Sequence, residues 1–228
     1  FVLLPGGKGA NQACAAGRLG GVVAMVGQVG RDDQGGMLRE SLRRAGVDVR
    51  LVDQDEQSAT GVAIISIDAA GENQIVALYG ANHLAPVPDP EPAVDVWVTQ
   101  GEVPPGTVGG VLAAARATGA TALVTPSPAG RLDAALVAQF DVAVVNETEL
   151  AALGGSRPPA VVLTLGARGA RILPDGPELP ALPARVVDTT GAVDCLTGAT
   201  AAGLAEGRTL VEAVRLGLAA AAICVERH

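Results

Sequence analysis

The chain has 228 residues, enough to bury the core of one domain. It carries 16 Lys and Arg against 24 Asp and Glu, a formal net charge of −8, and a surface of that sign repels nucleic acids and anionic membranes. No apolar run approaches the roughly 20 residues that a membrane span needs, and the apolar start at residues 1–4 is too short for a signal sequence.

The first elements follow a Gly-rich loop at residues 5–9. The pattern predicts a helix over 9–19, a buried strand over 22–29 and a second helix over 37–45. Glycines follow both helices and are typical of helix ends. Lys8, the only lysine of the chain, lies in the loop, where a compact ammonium group fits a tight turn better than a planar guanidinium.

Two strands are predicted next, over 60–67 and 74–79. Both are apolar and rich in β-branched residues, and a turn at residues 70–73 separates them. Residues 86–92 are rich in Pro and acidic side chains, so we interpret them as a connecting loop.

From residue 93 onward, short apolar strands alternate with helices. The strands are predicted over 94–99, 121–125, 142–145 and 161–165, and the helices over 108–117, 132–139 and 147–153. This alternation is typical of a parallel sheet covered on both faces. Ligands of such sheets bind at the carboxyl ends of the strands. A Walker loop and a Gly-x-Gly-x-x-Gly after a strand are both missing from the sequence, which disfavours a Walker NTPase and a dinucleotide enzyme.

The C-terminal part contains a second loop that leads into a helix. A strand-like run at 184–187 precedes Asp188, Thr189, Thr190 and Gly191, and an Ala-rich helical run follows. The threonines are predicted to cap that helix, whose N-terminus would then form an anion hole beside Asp194. An anion hole next to a carboxylate suits a base that deprotonates a hydroxyl during phosphoryl transfer. The alternative is an ordinary helix start with Asp194 as a partner of the helix dipole. A final helix is predicted over 210–225.

These two loops together resemble the paired signatures of the ribokinase family, also called the phosphofructokinase-B family of carbohydrate kinases. The first is Pro-Gly-Gly-Lys-Gly-Ala-Asn-Gln-Ala at residues 5–13, and the second is Asp-Thr-Thr-Gly-Ala-Val-Asp at 188–194. The resemblance extends through the Gly-x-Asp turn at 30–32 and the two strands before residue 80. It departs from the family at Val193, where the family pattern has glycine.

The resemblance implies an α/β, ribokinase-like three-layer fold with a mostly parallel central sheet. It also implies that residues 1–228 form a single kinase domain lacking both ends of the family, with a partial β lid at 61–79. In the family the lid also forms the dimer, so a homodimer is a possible assembly.

The resemblance also implies site residues. The sugar ligands would be Gly7, Lys8, Gly9, Ala10, Asn11 and Glu102, with Asp194 as general base. The nucleotide ligands would be Asn146, Thr164, Leu165, Gly166, Ala167, Arg168, Gly169, Val193 and Asp194. Glu149 would organise hydrated Mg²⁺, and Asp188 and Thr190 would bind K⁺. From the residues alone, Glu102 could equally be a surface acid, and Glu149 a partner of a helix dipole.

The implied activity is ATP-dependent phosphorylation of a primary sugar hydroxyl, with D-ribose converted to D-ribose 5-phosphate. Two alternatives stay open: another carbohydrate or nucleoside kinase of the family, and a non-catalytic sugar- or nucleotide-binding remnant. Further K⁺ ligands would lie near the end of the chain and beyond it, so we expect an incomplete K⁺ site and weak activation by potassium. Cys14, Cys195 and Cys224 are odd in number and widely separated, which indicates free thiols in a reducing cytoplasm.

Val193 is expected to hinder the anion hole. Glycine at this position lets the backbone approach the transferred phosphoryl group, whereas a β-branched side chain adds bulk and resists positive φ. The expectation is therefore a slow kinase, with a smaller loss if the residue keeps a right-handed helical conformation that valine can adopt.

Overall fold

A computed structural model of the chain describes residues 2–67, 73–89 and 94–226. The strands are β1 (Val23–Ala24), β2 (Gly27–Gly30), β3 (Val47–Asp48), β4 (Val52–Asp55), β5 (Val62–Ile67), β6 (Asn73–Leu78), β7 (Val96–Gln100), β8 (Thr121–Thr125), β9 (Val142–Val145), β10 (Ala160–Thr164), β11 (Ala170–Leu173) and β12 (Glu178–Leu179). The helices are α1 (Lys8–Arg18), α2 (Asp33–Arg44), α3 (Pro105–Thr118), α4 (Ala134–Val137), α5 (Glu147–Leu153), α6 (Ala192–Ala205) and α7 (Leu210–Val225). No helix in these ranges is long and apolar enough to cross a membrane.

A six-stranded sheet forms the centre of the described fold, in the order β12-β11-β10-β9-β8-β7. The four strands from β7 to β10 run parallel, with Val96 opposite Thr121, Leu123 opposite Val142 and Val142 opposite Ala160. Strands β11 and β12 are antiparallel to their neighbours. The mostly parallel sheet predicted from the strand–helix alternation is confirmed.

Helices cover both faces of this sheet and produce two cores. On one face, α3 contributes Val108, and Phe140 packs beside it. On the other face, α6 and α7 contribute Leu196 and Val214. All four residues of β9 are buried, as expected for a strand between two layers of helices. The three-layer arrangement places the carboxyl ends of β7 to β10 along one edge of the sheet.

The N-terminal part contains two small parallel sheets, β1 with β3 and β2 with β4. The single buried strand predicted over 22–29 is therefore wrong. The strands that pair with this segment, β3 and β4, are separated between Asp48 and Val52, and the segment is therefore divided into β1 and β2 as well. Val22 is fully exposed rather than buried.

A hairpin of β5 and β6 follows, and its strands pair antiparallel from Val62 opposite Leu78. Its apolar side chains include the exposed residues Ile64 and Val76. The predicted turn at 70–73 lies mostly outside the described residues, as does the second half of the connector at 86–92. Asp32 joins the segment before this hairpin to α2, because its carboxylate accepts hydrogen bonds from the backbone N–H groups of Gly35 and Thr60.

Three predicted boundaries need correction. The helix predicted over 37–45 begins at Asp33, because Asp32 caps it. The helix predicted over 132–139 contains only Ala134–Val137, after which the chain returns to the sheet through a hydrogen bond from Asp141 N to Ala122 O. The strand-like run at 184–187 is not a strand, since the N–H of Val187 donates to the carbonyl of Val225 at the end of α7.

The packing of α1 against α6 depends on Gly198. A Cβ added there would lie 2.1 Å from the carbonyl oxygen of Gln12 and 2.9 Å from the Cβ of Ala15. Glycine therefore lets the two backbones approach closely. Gly109, in the interior of α3, has no neighbour within 4 Å of the same added atom.

We expect Gly198→Ala to destabilise the protein by about 1–3 kcal/mol, because the new methyl group forces α1 and α6 apart. Gly109→Ala is the matched control, and it should stabilise by about 0.5–1 kcal/mol because alanine is the better helix former. Urea unfolding measures both free energies. Equal effects of the two substitutions would contradict the close-packing role of Gly198.

Candidate active site

Lys8 and Glu102 form an ion pair at the carboxyl end of β7. Gly7 has φ 97°, a conformation that glycine adopts without strain, and the loop it ends delivers Lys8 to the first turn of α1. The Lys8 Nζ lies 2.6 Å from Glu102 Oε1, and both side chains are more than two-thirds buried. Glu102 is fixed in turn by its backbone N–H, which donates to the side-chain oxygen of Gln100. The pair offers a donor and an acceptor to a polar ligand.

Asp194 lies next to this pair, in the first turn of α6, and is 8 % exposed. Asn11 Nδ2 donates to one carboxylate oxygen, Oδ2, at 2.9 Å, and Gln12 Nε2 donates to the other, Oδ1, at 3.1 Å. The same Gln12 amide lies 3.5 Å from the hydroxyl of Thr125, at the end of β8. Sequence reasoning identified Asp194 and Asn11 but missed Gln12, because its partners are distant in sequence.

The surroundings of Asp194 favour its protonated form. Burial raises the pKa of this carboxyl above its ordinary value, and the nearby charge of Glu102 adds to the rise. The hydrogen bonds from Asn11 and Gln12 and the charge of Lys8 oppose it without cancelling it. A carboxylate with a raised pKa is a stronger proton acceptor than an exposed aspartate.

The start of α6 differs from the prediction that threonines cap it. Its N-cap is Gly191, with φ 76°, and no side chain caps the helix. The hydrogen bond from Thr190 N to Asp188 Oδ1, 2.8 Å, instead closes the preceding turn. The N–H groups of Val193 and Asp194 belong to the first helical turn, whose amides lack acceptors within the helix. The turn therefore leaves backbone donors beside the Asp194 carboxylate.

A second group of predicted residues lies at the carboxyl ends of β9 and β10. Asn146 and Glu149 form a reciprocal capping box at the start of α5, and Glu149 is 7 % exposed. The hydroxyl of Thr164 donates to the carbonyl of Val145 at 3.2 Å. These contacts fix both segments at the sheet edge that also carries Glu102 and Thr125.

The turn after Thr164 is formed by glycines in conformations that favour them. Gly166 and Gly169 have φ 58° and 102°, and Leu165 N donates to Gly169 O at 2.8 Å. Ala167 and Arg168 lie in the short 3₁₀ turn Gly166–Arg168, and Arg168 pairs with Glu147 at 3.4 Å. This exposed ion pair connects the turn with the start of α5.

The remaining predicted residues flank the two groups. Gly9 lies against the end of β7, since an added Cβ would be 3.8 Å from Gln100 Nε2. Ala10 packs against the core of the N-terminal part. Cys195 follows Asp194, and burial together with contact to Cys224 raises the pKa of its thiol to about 12, so it adds no charge to the site near neutral pH. None of the three cysteines forms a disulfide.

Comparison with known proteins identifies the group to which this architecture belongs. The whole chain, residues 1–228, matches the pfkB family of carbohydrate kinases. The chain belongs to the pfkB family. It is 32 % identical to the ribokinase of Haemophilus influenzae over 97 % of this chain and 81 % of that protein. It is 33 % identical to the ribokinase of Bacillus subtilis over 99 % of this chain and 82 % of that protein.

Solved structures agree with the family assignment. The structure of Arabidopsis thaliana ribokinase complexed with ribose and ATP superposes with a TM-score of 0.87 at 27 % identity, covering 97 % of this chain and 81 % of that one. The ribokinase-like fold predicted from the motifs is therefore confirmed. As a pfkB sugar kinase, the protein is a phosphotransferase that acts on an alcohol group.

Val193 is the departure from the family signature, and the structure removes one reason to expect a defect there. No described residue other than glycine has positive φ, and Val193 lies within α6. The positive φ that valine resists is located at Gly191, two residues earlier. Valine can therefore adopt the backbone conformation that presents the N–H of residue 193. Only the bulk of its side chain, which is 38 % exposed, could still hinder the approach of the phosphoryl group.

We therefore expect Val193→Gly to raise kcat by less than about tenfold, because the backbone donor is already present. Steady-state kinetics with Ala192→Gly as the matched control separates loss of the branched side chain from added flexibility in the first turn of α6. A gain of roughly tenfold or more with unchanged KM, confined to Val193→Gly, would show that the valine side chain obstructs the reaction.

Proposed function

We propose that the protein transfers the γ-phosphoryl group of ATP to the primary hydroxyl of D-ribose, giving D-ribose 5-phosphate and ADP. The observation that carries the proposal is the position of Asp194: a buried carboxylate with a raised pKa, beside both the Lys8–Glu102 pair and the first turn of α6. A proton acceptor next to backbone donors suits attack of a hydroxyl on a phosphoryl group. The similarity to ribokinases, one of them complexed with ribose and ATP, supports ribose as the acceptor.

The sugar would bind between the N-terminus of α1 and the end of β7. Asn11 and the Lys8–Glu102 pair supply both donors and acceptors, which a polyhydroxyl ligand needs if its hydroxyl groups are to stay hydrogen-bonded when buried. Gly7, Gly9 and Ala10 would let the sugar approach the backbone closely. Together with Asp194, these residues form the proposed acceptor site.

The nucleotide would bind along the ends of β9 and β10. Asn146 would reach its phosphates, and the turn from Thr164 through Leu165, Gly166, Ala167 and Arg168 to Gly169 would lie along it. The backbone N–H groups of Val193 and Asp194 would donate to the transferred group. Backbone donors at a helix N-terminus suit an anion because hydrogen bonds and the helix dipole act together.

Two ions belong to the proposal: Glu149 fits hydrated Mg²⁺, whereas Asp188 and Thr190 would supply only part of a K⁺ site. Glu149 would organise hydrated Mg²⁺, an ion that proteins usually bind through one or two carboxylates together with water and phosphate oxygens. For K⁺, Asp188 and the carbonyl of Thr190 offer oxygen ligands in one closed turn. Mg²⁺ would neutralise phosphate charge, and K⁺ would stabilise the turn before α6.

In the reaction, Asp194 would accept the proton as the sugar oxygen forms its bond to phosphorus and the bond to the ADP oxygen breaks. Its two amide contacts do not prevent this, because a carboxylate has about four lone-pair positions. Lys8 and Glu102 would orient the sugar, and the first turn of α6 would stabilise charge on the phosphoryl oxygens. Positioning and electrostatics supply most of the rate in phosphoryl transfer.

We expect Asp194→Asn to lower kcat for ribose by about 10²–10⁴-fold, because the isosteric amide cannot accept the proton. ADP release measured with a coupled assay gives kcat, and calorimetry with ribose checks that binding persists. Asp53→Asn, the same change at an exposed position of β4, is the control and should leave kcat unchanged. Wild-type turnover by Asp194→Asn would refute Asp194 as the base.

A panel of acceptors tests the substrate. Ribose should give the highest kcat/KM when compared with hexoses, ketoses and nucleosides at equal ATP concentration, because the relatives at 32 % and 33 % identity are ribokinases. Phosphorylation of adenosine but not of ribose would replace the ribose assignment with a nucleoside kinase. Turnover of no acceptor, with sugar binding intact, would favour the non-catalytic remnant.

A further inference from the structure

We propose that Gln12 is a positioning residue for the general base, holding the Asp194 carboxylate in the rotation from which it accepts the sugar proton. The inference rests on the proposed function, because it requires Asp194 to be the base. Gln12 does not itself contact the reacting atoms in this assignment. It acts through Asp194.

The contacts of Gln12 join three elements of the fold at one point. Its side chain, on α1, donates to Asp194 Oδ1 on α6 at 3.1 Å and lies 3.5 Å from the hydroxyl of Thr125 at the end of β8. The residue is 3 % exposed, so its amide is shielded from the water that would otherwise compete for the same hydrogen bonds. A buried amide in this position is expensive unless it is paired, and the base is its nearest partner.

Gln12 and Asn11 each donate a hydrogen bond to a different oxygen of the Asp194 carboxylate. Asn11 donates to Oδ2, and Gln12 donates to Oδ1. The terminal torsion of aspartate is broad, so a single hydrogen bond leaves the carboxylate free to rotate about its Cβ–Cγ bond. Donors on both oxygens fix this rotation. Asn11 also belongs to the proposed sugar site, whereas Gln12 is buried, so the two residues should affect catalysis differently.

The backbone of Gln12 is itself held in place by α6. Its carbonyl oxygen would lie only 2.1 Å from a Cβ at Gly198, which shows how closely the two helices approach. The side-chain amide of Gln12 therefore extends to Asp194 from a backbone whose position is fixed. This rigidity is what a positioning residue needs, because a displacement of about 1 Å at the reacting group can lower a rate by about 10²-fold.

The groups that surround Asp194 set its pKa, so the role of Gln12 can be measured as a shift in the pH dependence of activity. Burial and Glu102 raise the pKa of Asp194, whereas the donors Asn11 and Gln12 and the charge of Lys8 lower it; Cys195, the adjoining residue on α6, is a neutral thiol. Loss of the Gln12 donor should therefore raise the pKa of Asp194 further. Since the base must be ionised, activity would then be lost at a higher pH as the solution is acidified.

Gln12→Met tests this, because methionine keeps the length of the side chain and removes the donor. We expect kcat for ribose to fall by roughly 10- to 100-fold, with KM changed by less than about threefold. The acid limb of kcat/KM should move upward by about one pH unit, since a hydrogen bond to a charged group is lost. Gln139→Met, the same change at an exposed position after α4, should alter neither quantity.

A second variant covers the case in which Gln12→Met does not fold. Gln12→Glu keeps the shape and polarity of the side chain but places a second carboxyl group against Asp194. It should move the acid limb further upward than Gln12→Met, because two neighbouring carboxylates resist ionising together.

The outcomes separate this inference from the proposed function. Turnover by Asp194→Asn would overturn both. If Asp194→Asn is inactive while the Gln12 variants keep the wild-type kcat and acid limb, the base stands and the role of Gln12 is refuted. A fall in kcat with an unmoved acid limb would also refute it, because a merely structural role lowers activity without changing the pKa of the base.

Discussion

The site depends on the close approach of α1 and α6. The first helix carries Lys8, Asn11 and Gln12, and the second carries Asp194, so the two helices must pack almost backbone to backbone for short amide side chains to reach the carboxylate. Gly198 makes this possible. The residues of the two helices are separated by most of the chain, and the direct packing of α1 against α6 sets their relative position. The contact between α1 and α6 is therefore what brings the side chains of the site together.

Electrostatics explains how an acidic chain could bind a polyanion. The net charge is −8, and Lys8 is the only lysine, already paired with Glu102. At long distances a polyanion is therefore repelled rather than attracted, and local donors must supply the binding. The glycine turns at Gly191 and Gly166 provide backbone N–H groups that carry no net charge and cost little reorganisation. Backbone donors of this kind tolerate a neighbouring carboxylate base better than a cluster of basic side chains, which would lower the pKa of that base.

Most of the fold could be predicted because its signals are local. Strands such as Val142–Val145 are short, apolar and bounded by polar residues, and helices such as Leu210–Val225 are bounded by a capping box and match their predicted limits. Two of the errors arose where tertiary pairing decides the outcome. The segment over 22–29 forms two strands because its partners, β3 and β4, are separate strands. Residues 184–187 bond to the end of a helix rather than to a strand. Neither partner can be recognised from the segment itself.

The same distinction separates what was foreseen at the site from what was missed. Asp194 and Asn11 stand in recognisable motifs, whereas the role proposed for Gln12 rests on a contact between residues 182 positions apart in the sequence. Val193 illustrates the converse. The motif suggested that the residue itself needs the conformational freedom of glycine, but the structure places the positive φ at Gly191, before the helix begins. Once α6 starts at Ala192, residue 193 is an ordinary helical position, and its N–H direction is set by the helix rather than by its side chain. Whether replacing a glycine of this signature strains the backbone thus depends on which side of the helix start the glycine falls.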